Sequence, residues 1–392
     1  MKITTVGFGQ CGNRIADMFA RMGRKARKER GIEIVTDAFA VNTDTADLSG
    51  LSFIKSDYRH RILIGSLRTA GHGVGKINEV AAEVARNDAD KIIDAMRGTK
   101  HFYESDAFLL VAGAAGGTGS GSIPVLTQTL KERYKDKPVY ALLILPFEHE
   151  ELTDGRTIYN TATCLKSVSS VADAIILVDN QRYIKKDSSL RNNMTRINEL
   201  VVEPFYDLLC VGEEKKNKCI GARLLDAGDI MQTLSGWTTI GYGKMQLPLI
   251  RFPFEWMPNF REKMTENHNG LQVMDEAISE LSLECNPKDS NRALYLLSAP
   301  VSQMNMNLVK ELGNYLSEIA TEAVIRYGDY PIKERKMTIT VMLSQFKRVD
   351  KIKNYYDEFP SAMKKMERIE SDIELILDEM NDASYKIPSL LG

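Results

Sequence analysis

The chain has 392 residues, a net charge of −2, 43% hydrophobic residues and 27% charged residues. That length can carry two domains with sizeable cores, and so small a charge gives no electrostatic case for nucleic acid or an anionic membrane as partner. The five cysteines, Cys11, Cys164, Cys210, Cys219 and Cys285, contain no CxxC pair, which argues against structural zinc or a disulfide framework and for a reducing cytoplasm. No apolar run reaches the length of a membrane span, so direct membrane insertion is not expected. The N-terminus runs straight into a strand, so a signal peptide is not expected.

In chain order, residues 2–6 form a short apolar run ending in glycines, and 15–22 read as a helix. Residues 37–41 and 61–64 read as strands, and 77–96 has helical spacing. Residues 108–111 are a buried strand, followed by glycines and a helix at 123–134. Strands at 139–145 and 174–178 complete an alternation that implies a mostly parallel sheet covered on both faces. Residues 190–211 break the rhythm: Met194, Ile197, Val201, Phe205 and Leu208 recur at three- and four-residue steps, a single apolar helical stripe. Pro204 is expected to kink that helix or interrupt its hydrogen bonding. In the second half, 245–252, 293–298 and 337–343 read as strands, and 271–283 and 308–324 as helices, giving a smaller α+β domain. Residues 351–382 are charged and helical. Met363, Met366, Ile369, Ile373, Ile376 and Met380 make a narrow stripe there, suited to one partner helix or, on the preferred reading, to the protein's own surface.

Three glycine-rich loops each follow a strand and precede a helix. Gly7-Phe8-Gly9-Gln10-Cys11-Gly12 matches GxGxxG, which lets backbone amides approach a diphosphate at a helix N-terminus; alone it could equally be a tight strand-to-helix turn. Ala115-Gly116-Gly117-Thr118-Gly119-Ser120-Gly121 concentrates more glycine than a turn requires, as expected where several N–H groups converge on phosphate oxygens. No GK[ST] ends it, so phosphates would be held without a P-loop lysine. The third loop is Gly71-His72-Gly73-Val74-Gly75. Loops of this kind emerge together at the carboxyl edge of a parallel sheet and can surround a triphosphate. His72 reads as a solvated loop residue, and Glu148-His149-Glu150-Glu151 as an exposed charged segment rather than a metal site. Trp237 and Trp256 read as core or interface residues.

On these motifs the chain resembles the tubulin/FtsZ superfamily. Ala115–Gly121 is similar to the family phosphate loop, preceded by Gly113, with Ala115 in place of its first glycine. Gly9-Gln10-Cys11-Gly12-Asn13 resembles tubulin's GQCGN. Asn42-Thr43-Asp44 and Gly71–Gly75 resemble the second and third loops of FtsZ. Pro146-Phe147 opens a segment like the ribose loop, which ends Asp154-Gly155-Arg156; its glutamate is Glu150 or Glu151, and Glu151 is the choice carried forward, with Arg156. Asn180 matches the asparagine that contacts guanine. The 190–211 helix resembles the central family helix, with Asn198 reading the guanine edge and Met194 where an aromatic ring usually stacks. Leu224 to Asp229 aligns with the family's NxDxxD loop, Leu224 replacing the asparagine. The mixture is most like the archaeal CetZ group.

The resemblance implies an α/β fold: a Rossmann-like GTPase domain over 1–189, a central helix and catalytic loop over 190–235, an α+β domain over 236–350 and a helical tail over 351–392. It implies GTP or GDP on Gly9, Gln10, Cys11, Asn13, Asp44, Gly71, Gly73, Gly75, Gly113, Ala115, Gly116, Gly117, Thr118, Gly119, Ser120, Glu151, Arg156, Asn180, Met194 and Asn198. Mg²⁺ would neutralise the phosphates, with Asp44 reaching it through water. Asp226 and Asp229 would act on the nucleotide of the adjacent subunit, positioning the attacking water. Such a head-to-tail contact does not close and so generates filaments, here of a cytoskeletal GTPase of cell shape or division. Without the family context the two aspartates would be a helix N-cap pair. The tail residues 386–391 faintly resemble a peptide that binds a membrane adaptor. Two other functions compete: an NAD-dependent oxidoreductase using Gly7–Gly12, and a nucleotide-binding structural protein without turnover.

Overall fold

The structure, a computed structural model, describes residues 1–184, 190–215, 220–247 and 260–384, and within these the side chains except those of 190–193, 260–267 and 369–384. The first half alternates as the sequence implies. Strand β1 (Ile3–Phe8) leads into α1 (Gly9–Arg30), β2 (Val35–Asn42), α2 (Thr45–Ser49), β3 (Arg61–Leu63) and α3 (Ser66–Thr69). Then come α4 (Asn78–Asn87), α5 (Ala89–Arg97), β4 (Ala107–Gly113), α6 (Thr118–Arg133), β5 (Val139–Leu145), α7 (Glu148–Thr153), α8 (Gly155–Ser169) and β6 (Ala174–Asp179). The second half holds α9 (Leu190–Val211), α10 (Ala227–Thr233), β7 (Gly236–Gln246), α11 (Phe260–Ser279), β8 (Arg292–Ala299), α12 (Met306–Ile319), β9 (Val324–Pro331), β10 (Lys336–Ser344) and α13 (Asp350–Ser384).

All ten strands join one sheet in the order β3-β2-β1-β4-β5-β6-β7-β10-β8-β9. The first six pair in parallel, and β7 adds parallel to β6 through Ala174–Gly236, Ile175–Trp237 and Ile176–Thr238. The smaller half is therefore not a detached layer but continues the sheet across a narrow seam, after which β10 runs antiparallel to both β7 and β8. Successive side chains of a strand face opposite sides, and β4 shows the result. Phe108, Leu110 and Ala112 enter a core with α4, α5, α6, α8, α11, α12 and the start of α13. Leu109 and Val111 enter a second core with α1, α9 and α10.

Several elements differ from the sequence reading. The 77–96 helix divides at Asp88, whose carboxylate accepts from the Gly65 N–H at 2.7 Å. The helix read over 308–324 ends at Ile319, and Val324 opens β9, an edge strand that the sequence reading missed. Its first half is only partly buried, which removes the clean alternation that identifies a strand. Helix α9 continues through Pro204. Strand β7 begins at Gly236 rather than 245; 248–252, Trp256 and the tail peptide 386–391 lie outside the described residues. Trp237 packs partly buried against the first core. Helix α13 seats on α8 through Ile352, Tyr355, Phe359 and Ala362, with the Phe359 and Tyr159 rings stacked 5.3 Å apart. Met363, on the stripe read from sequence, is instead exposed.

Candidate nucleotide site

The carboxyl ends of β1, β2, β4, β5 and β6 enclose a cavity of about 350 Å³. Its wall contains Gly9, Gln10, Cys11, Asp44, Gly73, Gly113, Ala115, Gly116, Gly117, Thr118, Gly119, Asn180 and Met194, so all three glycine loops meet there. Two helices open onto it. Helix α1 starts at Gly9 and α6 at Thr118, and neither has a side-chain N-cap or an acidic residue in its first turn. The first N–H groups of a helix have no intrahelical partner and carry the positive end of its dipole. Two such ends left uncapped on one cavity make a site for a polyanion.

The glycines divide by role. A Cβ at Gly12 would lie 2.1 Å from the Val111 carbonyl oxygen, so this glycine lets α1 lie against β4. In the phosphate loop, Gly117 packs on Lys76, Gly119 on Phe8 and Gly121 on the Asn78 carbonyl, whereas a Cβ at Gly116 would meet nothing within 4 Å. Most of the glycine excess thus serves close packing of α6, and Gly116 is the position open to a ligand.

The loops are fastened to each other. Thr43 and Thr118 share a 2.7 Å hydroxyl hydrogen bond. Buried Asn160 donates to the carbonyls of Lys76, Ala115 and Gly116 at 2.9, 3.1 and 3.2 Å. Asp44 caps α2, its Oδ1 accepting from Ala46 and Asp47 N–H at 2.8 and 3.2 Å, and Oδ2 lies toward Gly73. Burial pushes the Cys11 thiol up to about 12, with the charge of Glu150 adding to it, so Cys11 is a neutral wall residue and no nucleophile.

Seven residues assigned to nucleotide binding do not line the cavity. Glu151 turns to α13, where it pairs with Lys351 at 3.3 Å and accepts from the Tyr355 hydroxyl; Glu150, one residue earlier in α7, lines the cavity instead. The sequence reads as a loop there, whereas α7 is a short helix whose turn puts adjacent glutamates on different faces. Arg156 is drawn to Glu79 at 3.1 Å. Asn13 is buried, exchanging hydrogen bonds with the Val41 backbone at 3.2 and 3.3 Å. The Ser120 hydroxyl donates back to the Gly116 and Gly117 carbonyls. Gly71 and Gly75 shape the third loop at φ of 79° and 58°, and Asn198 sits one turn along α9 from Met194. His72 makes a bridge to Asp44.

The sequence reading also missed cavity residues. Asp47, which accepts from Gln10 at 2.8 Å and from Asn42 at 3.0 Å, and Lys76 line the wall beside Asn42, Pro146 and Phe147 of the motifs read from sequence. The Asn42-Thr43-Asp44 motif pointed to this region; the residues after it carried no pattern of their own.

Asp226 and Asp229 lie at the opposite edge. β7 runs parallel to β6 with Gly236 beside Ala174, so α10, just before β7, sits at the amino ends of the parallel strands. The length of β6, six residues, separates that edge from Asn180 by roughly 20 Å. Asp226 is the N-cap of α10, accepting from Asp229 N–H at 2.9 Å, and Asp229 accepts in return from Asp226 N–H at 3.4 Å. Asp229 also pairs with Arg326 at 3.5 Å. Leu225 is buried beneath the loop and Leu224 is 57% exposed.

Residues 2–186 match the tubulin/FtsZ family GTPase domain, and 187–359 the C-terminal domain of tubulin-like CetZ proteins. The chain is 33% identical over 383 residues to the tubulin-like protein CetZ1 of Haloferax volcanii, covering 94% of each. The GDP-bound monomer structure of that CetZ1 is similar with a TM-score of 0.78 and 31% identity, over 93% of this chain and 100% of that one. The GTPγS-bound protofilament of CetZ2 from the same organism gives 0.80 and 27%, over 94% and 100%.

Proposed function

This chain belongs to the tubulin/FtsZ family of GTPases, with a C-terminal half of the CetZ type, and from that premise we propose how its own residues bind and hydrolyse GTP. It is a polymerising cytoskeletal GTPase; the oxidoreductase alternative finds no support in these relatives. The observation that carries the site assignment is the pair of uncapped helix N-termini, α1 and α6, facing one cavity lined by Gly116. Phosphates lie on the N–H groups of the 115–119 loop, and guanine lies between Asn180 and Met194. CetZ1 in its GDP-bound form and CetZ2 with GTPγS support the same nucleotide here.

Asp44 suits a hydrated Mg²⁺, because Oδ1 is spent on the helix cap while Oδ2 makes no hydrogen bond among the described residues. When bound, the ion supplies charge neutralisation at the phosphates. Asp226 and Asp229 cannot reach the cavity of their own subunit, being on the other edge of the sheet. In a head-to-tail filament they meet the nucleotide of the next copy, where they orient a water and stabilise developing charge. The two edges differ in surface, as a heterologous, non-closing contact requires. Leu224 and Val324 are exposed at the Asp226 edge, and Leu67 and Leu152 at the cavity edge.

Among the described residues no helix is long and apolar enough to cross a membrane. The proposed setting is the cytoplasm, and the role is control of cell shape or division. The test combines sedimentation and phosphate release. With GTP and Mg²⁺ the protein should pellet and release phosphate at a rate per subunit that rises with protein concentration. A rate per subunit independent of concentration would defeat the shared active site.

A further inference from the structure

Lys76 is the one cation among the described residues lining the cavity, against the carboxylates of Asp44, Asp47 and Glu150. It belongs to no phosphate-binding pattern in the sequence, and its backbone is unusual. It holds φ of 66°, a left-handed conformation that costs a non-glycine residue free energy and persists only where its surroundings enforce it. Here they do: Asn160 grips the Lys76 carbonyl together with those of Ala115 and Gly116, and Gly117 leaves the space against which Lys76 packs. Lys76 is thereby tied to the loop whose N–H groups face the phosphates.

Its side chain rests in a poor place for a cation. The ammonium donates to Asp154 Oδ2 at 2.8 Å and Thr157 Oγ1 at 3.0 Å. Both acceptors are in the first turn of α8, with Asp154 its N-cap. The positive end of a helix dipole disfavours a lysine, and the ion pair is about 40% exposed on each side, where such pairs contribute little. A lysine side chain is long and rotatable, so a polyphosphate in the cavity can draw it away at small cost.

We propose that Lys76 reads the terminal phosphate of the bound nucleotide, exchanging its resting contact with Asp154 for that phosphate. This replaces the lysine that the 115–121 loop lacks and makes the site discriminate triphosphate from diphosphate. Asp154 keeps its cap on the Arg156 N–H, at 2.9 Å, so α8 does not lose its start when the lysine leaves. The proposal rests on the GTPase reading above.

The test is calorimetric titration of the wild-type chain, Lys76→Ala, Lys76→Arg and Asp154→Asn with GDP and with GTPγS in Mg²⁺ buffer. A lost charge-assisted contact should weaken GTPγS about tenfold or more in Lys76→Ala while GDP changes less than about twofold. Lys76→Arg should keep most of the discrimination. Asn caps a helix as well as Asp, so Asp154→Asn removes only the competing charge and should tighten GTPγS by a few-fold. Equal weakening of both nucleotides in Lys76→Ala, an unchanged ratio, or no tightening in Asp154→Asn overturns the exchange. Wild-type protein that binds neither nucleotide overturns the GTPase reading itself; wild-type binding with an unaltered ratio in Lys76→Ala overturns the role of Lys76 alone.

Discussion

The two edges of the sheet use helix N-termini in opposite ways. At the carboxyl edge, α1 and α6 begin without a side-chain cap and without an acid in the first turn. At the amino edge, α10 begins with a reciprocal cap between Asp226 and Asp229. An uncapped terminus leaves N–H groups for a ligand; a capped one is already satisfied and presents carboxylates outward. On the function proposed above, one edge receives the phosphates and the other offers the carboxylates of Asp226 and Asp229, the latter also paired with Arg326, and a sheet's length keeps them from meeting within one molecule. The comparison teaches that the same structural device, a helix N-terminus, is left open at one end of the subunit and closed at the other.

The most drastic way to break the contrast is to cap the wrong edge. At Gly116 an added Cβ meets nothing within 4 Å, and Gly116→Asp would set a carboxylate in the proposed phosphate position, at the N-terminus of α6. It should lower affinity for GDP and GTPγS by about 100-fold or more while circular dichroism and the melting temperature stay near those of the parent. Retained binding would mean that the phosphates lie elsewhere.

The amino edge is tested by removing its charge but keeping its cap. Asp226→Asn with Asp229→Asn should preserve α10, leave nucleotide binding unchanged and reduce phosphate release from assembled protein by about 100-fold or more. The corresponding alanine pair should lose the same activity and additionally about 1 kcal/mol of stability from the missing cap, measured by denaturant unfolding. Unchanged turnover in the asparagine pair would reduce both aspartates to capping residues.

The smallest effect sharpens the comparison by asking whether charge pairing away from either edge matters. His60, stacked on Phe39, lies between Asp37 at 3.1 Å and Asp57 at 2.7 Å. Burial alone pushes its imidazole down, but the hydrogen bonds to the two carboxylates outweigh burial and the net direction is up. Protonated His60 therefore stabilises the fold fully below its unfolded value near 6.5, and that stability is lost as pH rises through the higher folded value. The loss of stability with rising pH is read from denaturant midpoints across that window. His60→Gln should flatten it, and nucleotide binding should be unaffected by the substitution.

The strand–helix alternation of the first half and the meeting of three loops at one sheet edge were legible because each loop carries several glycines between a buried run and a helix. The meaning of those glycines was less legible. Gly12, Gly117, Gly119 and Gly121 answer to packing distances between elements far apart in sequence, and no local pattern distinguishes them from Gly116. The choice between Glu150 and Glu151 depended on a short helix, α7, and on a Tyr355 that approaches from 204 residues away. Lys76 was invisible for a similar reason: its place in the cavity is set by Asn160 and Gly117, not by its neighbours in the chain. The sequence reads Asp226 and Asp229 as catalytic, and as a cap pair only without the family context; they do form that cap, and their place at the far edge follows only from β7 pairing with β6.

By itself, the sequence determined the alternation of strands and helices, the glycine loops between them and the apolar stripe of α9, because backbone conformation and periodic burial are local properties of a chain. Tertiary structure alone decided which helix ends stay open, which glutamate faces the cavity, where Lys76 rests and on which edge the aspartates stand. Each of these depends on distances between residues remote in sequence, set by sheet register and side-chain packing.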